Sequence, residues 1–522
     1  MFAFQVVGAL TNTWAATLPA AAKRPNILWI VAENIGPDFG CYGHPLVQTP
    51  NLDRFAAAGL RYRLAFSTAP VCSASRSAFM TGMYQTTLGA HGSRSHRTPG
   101  LDDRFHLPQG VRPLTHWLAE AGYFSANVAT MDGQRVGTGK VDLNFEVEGP
   151  VLRPDEPPRT GGGSVEIESI RHNHHNSVRL FHATEWDTLK ARQPFFAQVN
   201  LPVVERGAVK DSWAGSQENP WFGRSHPKRI DPAKVEVPPY YPDHPVMRKE
   251  WAGYLDAVCD VDTRAGEILQ RLEVDGLADD TIVVFFGDNG RLEHRGLHWA
   301  YDSGDRVPLI IRWPKNFPPP PQYQAGGVSE HVVSLLDLTA TTLWMAGAAK
   351  PKGMQSQVIL GNNADPPRTF IVGAADRCDG VAKRSRAIRT SRYRYIRNFT
   401  PEVTLMQTLS PYKAAKYPAY RLMWELQQEG KLTPPQEALM AARWPDEELF
   451  DLERDPYEIR NLASSPDREH QRILRELRAT LERWVIETDD LGRFPEDPRI
   501  VRWWQLRQRD AFGLPEWFGR KH

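Results

Sequence analysis

The stretch TIVVFFGDNG (281–290) is a short apolar run that ends in the polar pair Asp288-Asn289, which predicts a buried β-strand. The segment before it, VMRKEWAGYLDAVCDVDTRAGEILQRLEVDG (246–276), carries apolar residues at helical spacing: Trp251, Leu255, Val258, Val261, Ile268 and Leu272. A long helix that leads directly into a buried strand is typical of α/β proteins, because parallel strands need a crossover connection.

The same alternation recurs along most of the chain. Buried strands are predicted at PNILWIV (25–31), PFFAQVNL (194–201) and VPLIIRWP (307–314). Helices are predicted at TPNLDRFAAAG (49–59) and HVVSLLDLTATTLWMAG (331–347). The predicted fold is therefore α/β, with a large, mostly parallel sheet sandwiched between helices.

The sequence pattern changes after about residue 365. Segments 385–399 and 447–463 favour a small antiparallel sheet, and residues 468–487 predict an amphipathic helix. We therefore predict a large domain over 23–364 and a smaller C-terminal α+β subdomain over 365–522.

Composition narrows the classes of function. The 522 residues include 63 basic and 62 acidic side chains, so a net charge of +1 gives no field that would attract nucleic acid. An anionic ligand must then be held by local arginines. The four cysteines are widely scattered and form neither a metal-binding pair nor a dense disulfide framework.

The N-terminal segment, residues 1–22, is apolar and uncharged and ends in an alanine-rich run. It resembles the hydrophobic region and cleavage zone of a secretory signal, although the usual basic start is missing. We expect export to the periplasm or the exterior. Later stretches are too short or too polar to predict a membrane span.

Four oxygen-bearing side chains follow two of the predicted strands: Glu33, Asn34, Asp288 and Asn289. Because ligand sites gather beyond the carboxyl ends of strands in α/β folds, we expect these groups to meet. Hard oxygen ligands suit Ca²⁺ or Mg²⁺. An ordinary turn at Asp288-Asn289-Gly290 and a simple loop start at Glu33 remain alternatives.

The stretch VCSASRSAFMTG (71–82) places Cys72 at the start of a predicted helix, where backbone N–H groups favour anions. Arg76 lies one turn further on and faces the same way. The alternative is that Cys72 is a buried small hydrophobic residue.

Cys72-x-Ala-x-Arg76, followed by Thr81-Gly82, resembles the signature of type I sulfatases, a family of the alkaline phosphatase-like superfamily. Other segments resemble family landmarks in the right order: PNILWIVAEN, the run from Gly40 to Cys72, DDTIVVFFGDNG, YDSGDRVPLIIRWP and ELFDLERDPYEIRNLA. The runs at 89–94 and 138–142 look closest to bacterial relatives of heparan N-sulfatase.

The resemblance implies that a maturation enzyme oxidises Cys72 to formylglycine, whose hydrate attacks sulfur. A divalent cation, Ca²⁺ or Mg²⁺, would be held by the four strand-end residues. Arg76 would hold the hydrate, and Lys140 would contact sulfate. From the sequence, a solvated loop position for Lys140 is an equal alternative.

Several positions depart from the family pattern. Glu33-Asn34 stands where two aspartates are usual, which removes one negative charge from the metal site. Asp142 replaces a common histidine. Glu205 aligns with the usual leaving-group histidine, and Leu297 aligns with a usual lysine.

His298, next to Leu297, is a candidate general acid, because histidine titrates near neutral pH. A surface loop histidine is the alternative. A further set is predicted to bind substrate: His91, Arg94, Asp142, Glu205, Arg295, Arg377 and Asp379. Four of these are expected to line the mouth of the site and bind sugar hydroxyls or a uronate carboxylate: His91, Arg94, Arg377 and Asp379. An ordinary surface ion pair is the alternative for each of the four.

We therefore expect an exported sulfatase acting on sulfate esters or sulfamates of a carbohydrate. Two other functions fit the same residues. One is a phosphodiesterase or phosphonate monoester hydrolase on the same fold, since fold does not fix function. The other is a sulfated-glycan binder with impaired catalysis, which Glu205 and Leu297 suggest and the intact Cys72 motif opposes.

Overall fold

The computed structural model describes residues 23–98, 100, 105–154, 164–202, 204, 229–293, 295–408 and 410–513. The predicted export segment, residues 1–22, and Glu205 lie outside these ranges.

Nine strands form a central sheet: β1 (Asn26–Ala32), β2 (Leu60–Phe66), β3 (Phe124–Met131), β4 (Gln134–Arg135), β5 (Ala183–Glu185), β6 (Phe195–Leu201), β7 (Thr281–Gly287), β8 (Arg306–Arg312) and β9 (Val328–Ser334). Four more form a second sheet: β10 (Ile371–Ala375), β11 (Ser385–Arg389), β12 (Tyr393–Asn398) and β13 (Glu447–Asp451). The described helices are α1 (Pro50–Ala57), α2 (Cys72–Thr81), α3 (Leu114–Glu120), α4 (Ser164–Leu180), α5 (Pro245–Val274), α6 (Asp302–Asp305), α7 (Asp337–Met345), α8 (Pro411–Lys416), α9 (Pro418–Gln428), α10 (Pro434–Met440), α11 (Arg468–Glu487) and α12 (Pro498–Phe512).

The central sheet has the order β4-β3-β6-β1-β7-β8-β2-β9, with β5 paired to β3. The pairs at its centre, β3 with β6, β6 with β1 and β1 with β7, are parallel, whereas β8 runs antiparallel to both neighbours. The second sheet is wholly antiparallel. The predicted fold class is confirmed.

Side chains that alternate along the central strands fill two apolar layers. Leu28 and Ile30 of β1 pack in the layer that includes α5, and Trp29 packs in the layer that includes α2. The ring of Phe79 from α2 meets the rings of Trp29 and Phe286 edge-on, at centroid distances of 6.0 and 5.5 Å. These aromatic contacts hold α2 against the carboxyl-end half of β1 and β7.

The prediction of a helix over residues 331–347 is wrong for residues 331–334, which form a strand. Residues up to Ser334 belong to β9, and α7 begins at Asp337. Val332 and Val333 are β-branched and pair with Leu64 and Ala65 of β2, where an edge strand completes the central sheet. The helix predicted at 246–276 is confirmed as α5.

A buried ionic cluster joins the second sheet to the first. Arg394 of β12 is fully buried and reaches Asp302 at 3.1 Å, Asp305 at 2.9 Å and Glu458 at 3.3 Å. Burial raises the pKa of Asp305 to about 8 although Arg394 lies beside it. Burial alone would also raise the pKa of Asp302, but Arg389 and Arg394 lower it to about 2, so these two guanidiniums keep this carboxylate charged inside the protein. The domain division at 364/365 stays a prediction.

Replacing Arg394 with methionine should lower the free energy of unfolding by about 3–5 kcal/mol, because it leaves buried carboxylates without their cation. Denaturant unfolding followed by circular dichroism measures this. Arg421 of α9 pairs with Glu425 at 2.7 Å with both side chains exposed, and Arg421→Met should cost far less. Equal losses in the two variants would contradict the role given to Arg394.

Candidate active site

The ends of β1 and β7 bring the four predicted metal ligands together. Ala32 and Gly287 are register partners, so the residues that follow them leave the sheet side by side. The backbone N–H of Asn34 donates to Asp288 Oδ1 at 3.0 Å, and Asn289 Nδ2 donates to Asn34 Oδ1 at 3.0 Å. Asn34 has a left-handed φ of 54°, a conformation that asparagine tolerates better than most residues. All four side chains are buried.

Arg76 reaches this group from α2. Its Nε donates to Asp288 Oδ2 at 3.0 Å, Nη1 donates to Asn200 Oδ1 at 2.7 Å, and Nη2 lies 3.3 Å from Glu33 Oε1. One guanidinium therefore links the ends of β1, β6 and β7. The sequence analysis missed Asn200, although a polar side chain near the end of a buried strand was a usable signal.

A second ionic group surrounds Asp142. Lys140 Nζ lies 3.1 Å from Glu33 Oε2 and 3.8 Å from Asp142 Oδ2, which connects this group to the strand ends. Arg94 and Arg97 each place an Nη2 atom 3.1 Å from the Asp142 carboxylate. Burial alone would raise the pKa of Asp142, but the surrounding cations hold it well below its usual range.

Arg97 is another residue that sequence reasoning missed. It lies three positions after Arg94 in a basic run, and its side chain is buried against Asp142. A short basic run is usually solvated, so the run alone gave no reason to place Arg97 inside the protein.

Cys72 is the first residue of α2, and its Sγ lies 3.5 Å from Asp142 Oδ2. Its side chain is half-buried, and burial raises the pKa of the thiol to about 12. The unmodified thiol therefore stays protonated near neutral pH and is a poor nucleophile. Gly82, with a φ of 71°, ends the helix in a left-handed conformation that glycine adopts at no steric cost.

Another cluster of polar groups lies close to Cys72. One ligand-type atom from each of His298, Cys378 and Asp379 lies within 4.8 Å of the others. The backbone N–H of His298 donates to the carbonyl of Pro70 at 2.9 Å, which ties the cluster to the loop before Cys72. Burial and the ammonium of Lys413 lower the pKa of His298 well below its ordinary value.

The spacing of these three groups would suit a metal ion, but their surroundings are positive. Burial raises the pKa of Asp379, and three cations act against that rise: Arg94, Arg377 and Lys413. A divalent cation placed there would be repelled by all three. The positive surroundings therefore disfavour a divalent cation at this cluster. The strand-end residues stay the predicted metal site.

Two predicted substrate-binding arginines are engaged with the protein. Arg295 donates to the carbonyls of Tyr457 and Glu458 at 2.6 and 2.5 Å and lies 3.8 Å from the ring centre of Tyr301. Arg377 donates to the carbonyl of Ser93 at 2.7 Å and forms an ion pair with Glu496. These contacts favour structural roles, and substrate binding by either arginine stays a prediction.

His91 lines a cavity of about 170 Å³ together with Asp376, Arg384 and Phe494. Its role in substrate binding also stays a prediction, as does that of Glu205, which the structure does not describe.

The strand-end residues fit a divalent cation. Asn289 Oδ1 is buried and has no hydrogen-bond partner among the described residues. An unsatisfied buried acceptor costs about 1–3 kcal/mol, a cost that a bound cation relieves. The donor set of two carboxylates and two amide oxygens is the kind that Ca²⁺ and Mg²⁺ prefer.

The fold and this arrangement define a hydrolase of the alkaline phosphatase-like class. A family model described as Sulfatase matches residues 25–348, and the chain belongs to the sulfatase family. It is therefore a sulfuric ester hydrolase.

Sequence relatives agree with this assignment. An ulvan-active sulfatase of Formosa agariphila is 31% identical over 92% of this chain and 78% of its own length. The human N-sulphoglucosamine sulphohydrolase is 28% identical over 90% of this chain and 91% of its own length.

Solved structures share the fold. A 2-O GAG sulfatase gives a TM-score of 0.56 at 19% identity, covering 92% of this chain and 96% of that one. The phosphonate monoester hydrolase of Agrobacterium radiobacter gives 0.57 at 15% identity, covering 89% and 96%. None of the helices in the described part of the chain combines the length and apolarity that crossing a membrane requires.

If Asn34 is a metal ligand, Asn34→Asp should tighten divalent cation binding by about tenfold or more, because ligand charge tunes affinity at oxygen sites. Aspartate keeps the acceptor for Asn289 and tolerates the left-handed backbone. Titration calorimetry of chelator-treated protein with Ca²⁺ and Mg²⁺ measures the change. The exposed Asn363 gives the control Asn363→Asp, which adds the same charge at the surface. An unchanged affinity in Asn34→Asp would remove Asn34 from the ligand set.

Proposed function

We propose that this sulfatase hydrolyses sulfate esters or sulfamates of a carbohydrate, with Cys72 converted to formylglycine and Ca²⁺ or Mg²⁺ at Glu33, Asn34, Asp288 and Asn289. The observation that carries the proposal is the position of Cys72. It lies at the N-terminus of α2, in contact with Asp142 and one turn before the arginine that binds the metal-site carboxylates.

The charges around Cys72 suit a sulfate group. Four cations face this region against three carboxylates: Arg76, Lys140, Arg94 and Arg97 against Glu33, Asp288 and Asp142. This excess of one positive charge, counted without the proposed metal ion, attracts a monoanionic sulfate ester, and burial from water strengthens the attraction. Ion pairing also keeps these long side chains in fixed positions before substrate arrives.

Formylglycine would supply a geminal diol nucleophile, and a divalent cation held by Glu33, Asn34, Asp288 and Asn289 would polarise a sulfate oxygen. The protein's own groups hold the reactants in place. Arg76 fixes the Asp288 carboxylate through Nε, and Lys140 lies between Glu33 and Asp142, where it can meet a sulfate oxygen. The backbone N–H groups at the start of α2 favour the developing negative charge.

The protonated state of the Cys72 thiol supports modification. A cysteine with a pKa of about 12 carries little thiolate near neutral pH, so the unmodified side chain would be a poor catalyst. Conversion requires a formylglycine-generating maturation enzyme as a partner. The apolar N-terminal segment supports export to the periplasm or the exterior.

A carbohydrate substrate is supported by the relatives, whose names specify ulvan and N-sulphoglucosamine. Sulfamate cleavage is included because the second of these acts on an N-sulfo group. Phosphonate or phosphodiester hydrolysis is not favoured, because the resemblance to the phosphonate hydrolase rests on fold alone. Binding without catalysis is not favoured either, since Cys72 and Arg76 are both in place.

On protein purified from its own host, the tryptic peptide containing Cys72 should be about 18 Da lighter than the cysteine form, as expected for oxidation of a thiol to an aldehyde. Intact-peptide mass spectrometry measures this, with the buried Cys259 as an internal control that stays a thiol. An unmodified Cys72 in active protein would overturn the mechanism.

A panel of sulfated sugars, tested beside the matching phosphate esters, should show turnover of sulfate compounds only. Cys72→Ala should lose that turnover while its melting temperature stays near the wild-type value, because alanine suits a helix and removes only a half-buried thiol. Equal turnover of the phosphate esters would favour the alternative function, a phosphodiesterase or phosphonate monoester hydrolase.

A further inference from the structure

Lys413 is a buried lysine that the site described above does not use. It lies in α8, where Ser410 Oγ accepts its backbone N–H at 3.1 Å, and its side chain is 2% exposed. Its Nζ donates to the carbonyl of Leu297 at 2.8 Å. Within the described part of the chain, its ammonium forms no salt bridge with a carboxylate.

The ammonium lies close to the reacting centre. Leu297 precedes His298, whose backbone is bonded to Pro70, two residues before Cys72. Cys378 lies within electrostatic reach of both Lys413 and Cys72. The ammonium is therefore tied to the loop before Cys72 through Leu297, His298 and Pro70, although α8 lies more than 330 residues further along the chain.

The other cations around Cys72 are poor proton donors. Three are arginines, which keep their protons throughout the physiological range: Arg76, Arg94 and Arg97. Lys140 is held between the carboxylates of Glu33 and Asp142. His298 is neutral near pH 7, because burial and Lys413 disfavour its charged form.

We propose that Lys413 is the proton donor to the leaving group in the sulfatase reaction, a role that rests on the proposed function. As the nucleophile oxygen bonds to sulfur, the bond from sulfur to the leaving oxygen or nitrogen breaks. Its electron pair stays on the leaving atom, which takes one proton from the Lys413 ammonium. The resulting amine regains a proton from water.

The surroundings of Lys413 suit this role. Burial lowers the pKa of Lys413 to about 8, although three nearby groups act to raise it: Cys378, Asp379 and Glu293. The charged forms of His298 and Lys413 repel each other. An acid whose pKa lies near the working pH gives efficient general acid catalysis. Activity that depends on this proton should fall as the pH rises through about 8.

The test uses phenyl sulfates whose leaving groups differ in their need for a proton. In Lys413→Met, kcat/KM for unsubstituted phenyl sulfate should fall about 100-fold or more, because general acid assistance is lost. The value for 4-nitrophenyl sulfate should change only a few-fold, because nitrophenolate leaves without a proton. Lys413→Arg should match Lys413→Met, since it keeps the charge but not a transferable proton.

Lys383 gives a matched control. It is also buried, its pKa is also lowered to about 8, and its Nζ donates to Asn398 Oδ1 at 2.9 Å in the second sheet. Lys383→Met should lower the melting temperature about as much as Lys413→Met. It should not change the ratio of the two kcat/KM values.

Binding of inorganic sulfate to chelator-free, Cys72→Ala protein gives a readout independent of turnover. Adding Lys413→Met should leave this affinity unchanged if the lysine acts on the leaving group. Equal losses for both phenyl sulfates, together with weaker sulfate binding, would overturn the proposal and make Lys413 a sulfate-binding residue. Wild-type protein that cleaves neither phenyl sulfates nor sulfated sugars would instead overturn the proposed function.

Discussion

The guanidinium of Arg76 is the contact on which the rest of the site depends. It is fully buried and joins Asp288, Asn200 and Glu33, which stand at the ends of three adjacent strands. A buried cation is tolerated only when its hydrogen bonds are satisfied, so β1, β6, β7 and α2 must all be in register for this arginine to be stable. The edge-on packing of Phe79 against Trp29 and Phe286 helps to position α2 relative to β1 and β7 within the apolar core.

Charge alternates outward from this arginine. Glu33 forms an ion pair with Lys140, Lys140 also lies near Asp142, and Asp142 pairs with Arg94 and Arg97. Each carboxylate fixes the cations that would meet sulfate, so the anion enters a site that needs little reorganisation. Asn34 carries no charge, so if the strand ends hold the proposed cation, an asparagine there favours the anion and weakens the binding of the metal ion.

Much of the architecture could be predicted from sequence because it depends on local patterns. Apolar runs that end in polar pairs located the central strands, and their parallel pairing brought Glu33 to Asp288. Two kinds of residue could not be found in this way. Arg97 and Lys413 are buried by partners distant in sequence, and Val332 and Val333 became a strand only because β2 offered an edge. Local pattern carries no information about such partners.

The burial of α2 also bears on when the proposed modification of Cys72 takes place relative to folding. All its residues from Ser73 to Thr81 are buried, and the aromatic layer and the Arg76 bonds cover them together. If Cys72 is converted to formylglycine as proposed, an enzyme reaches the residues that follow it only before α2 docks onto the sheet. Under that proposal, the timing of folding relative to oxidation determines how much of the protein becomes active, independently of how stable the folded protein is.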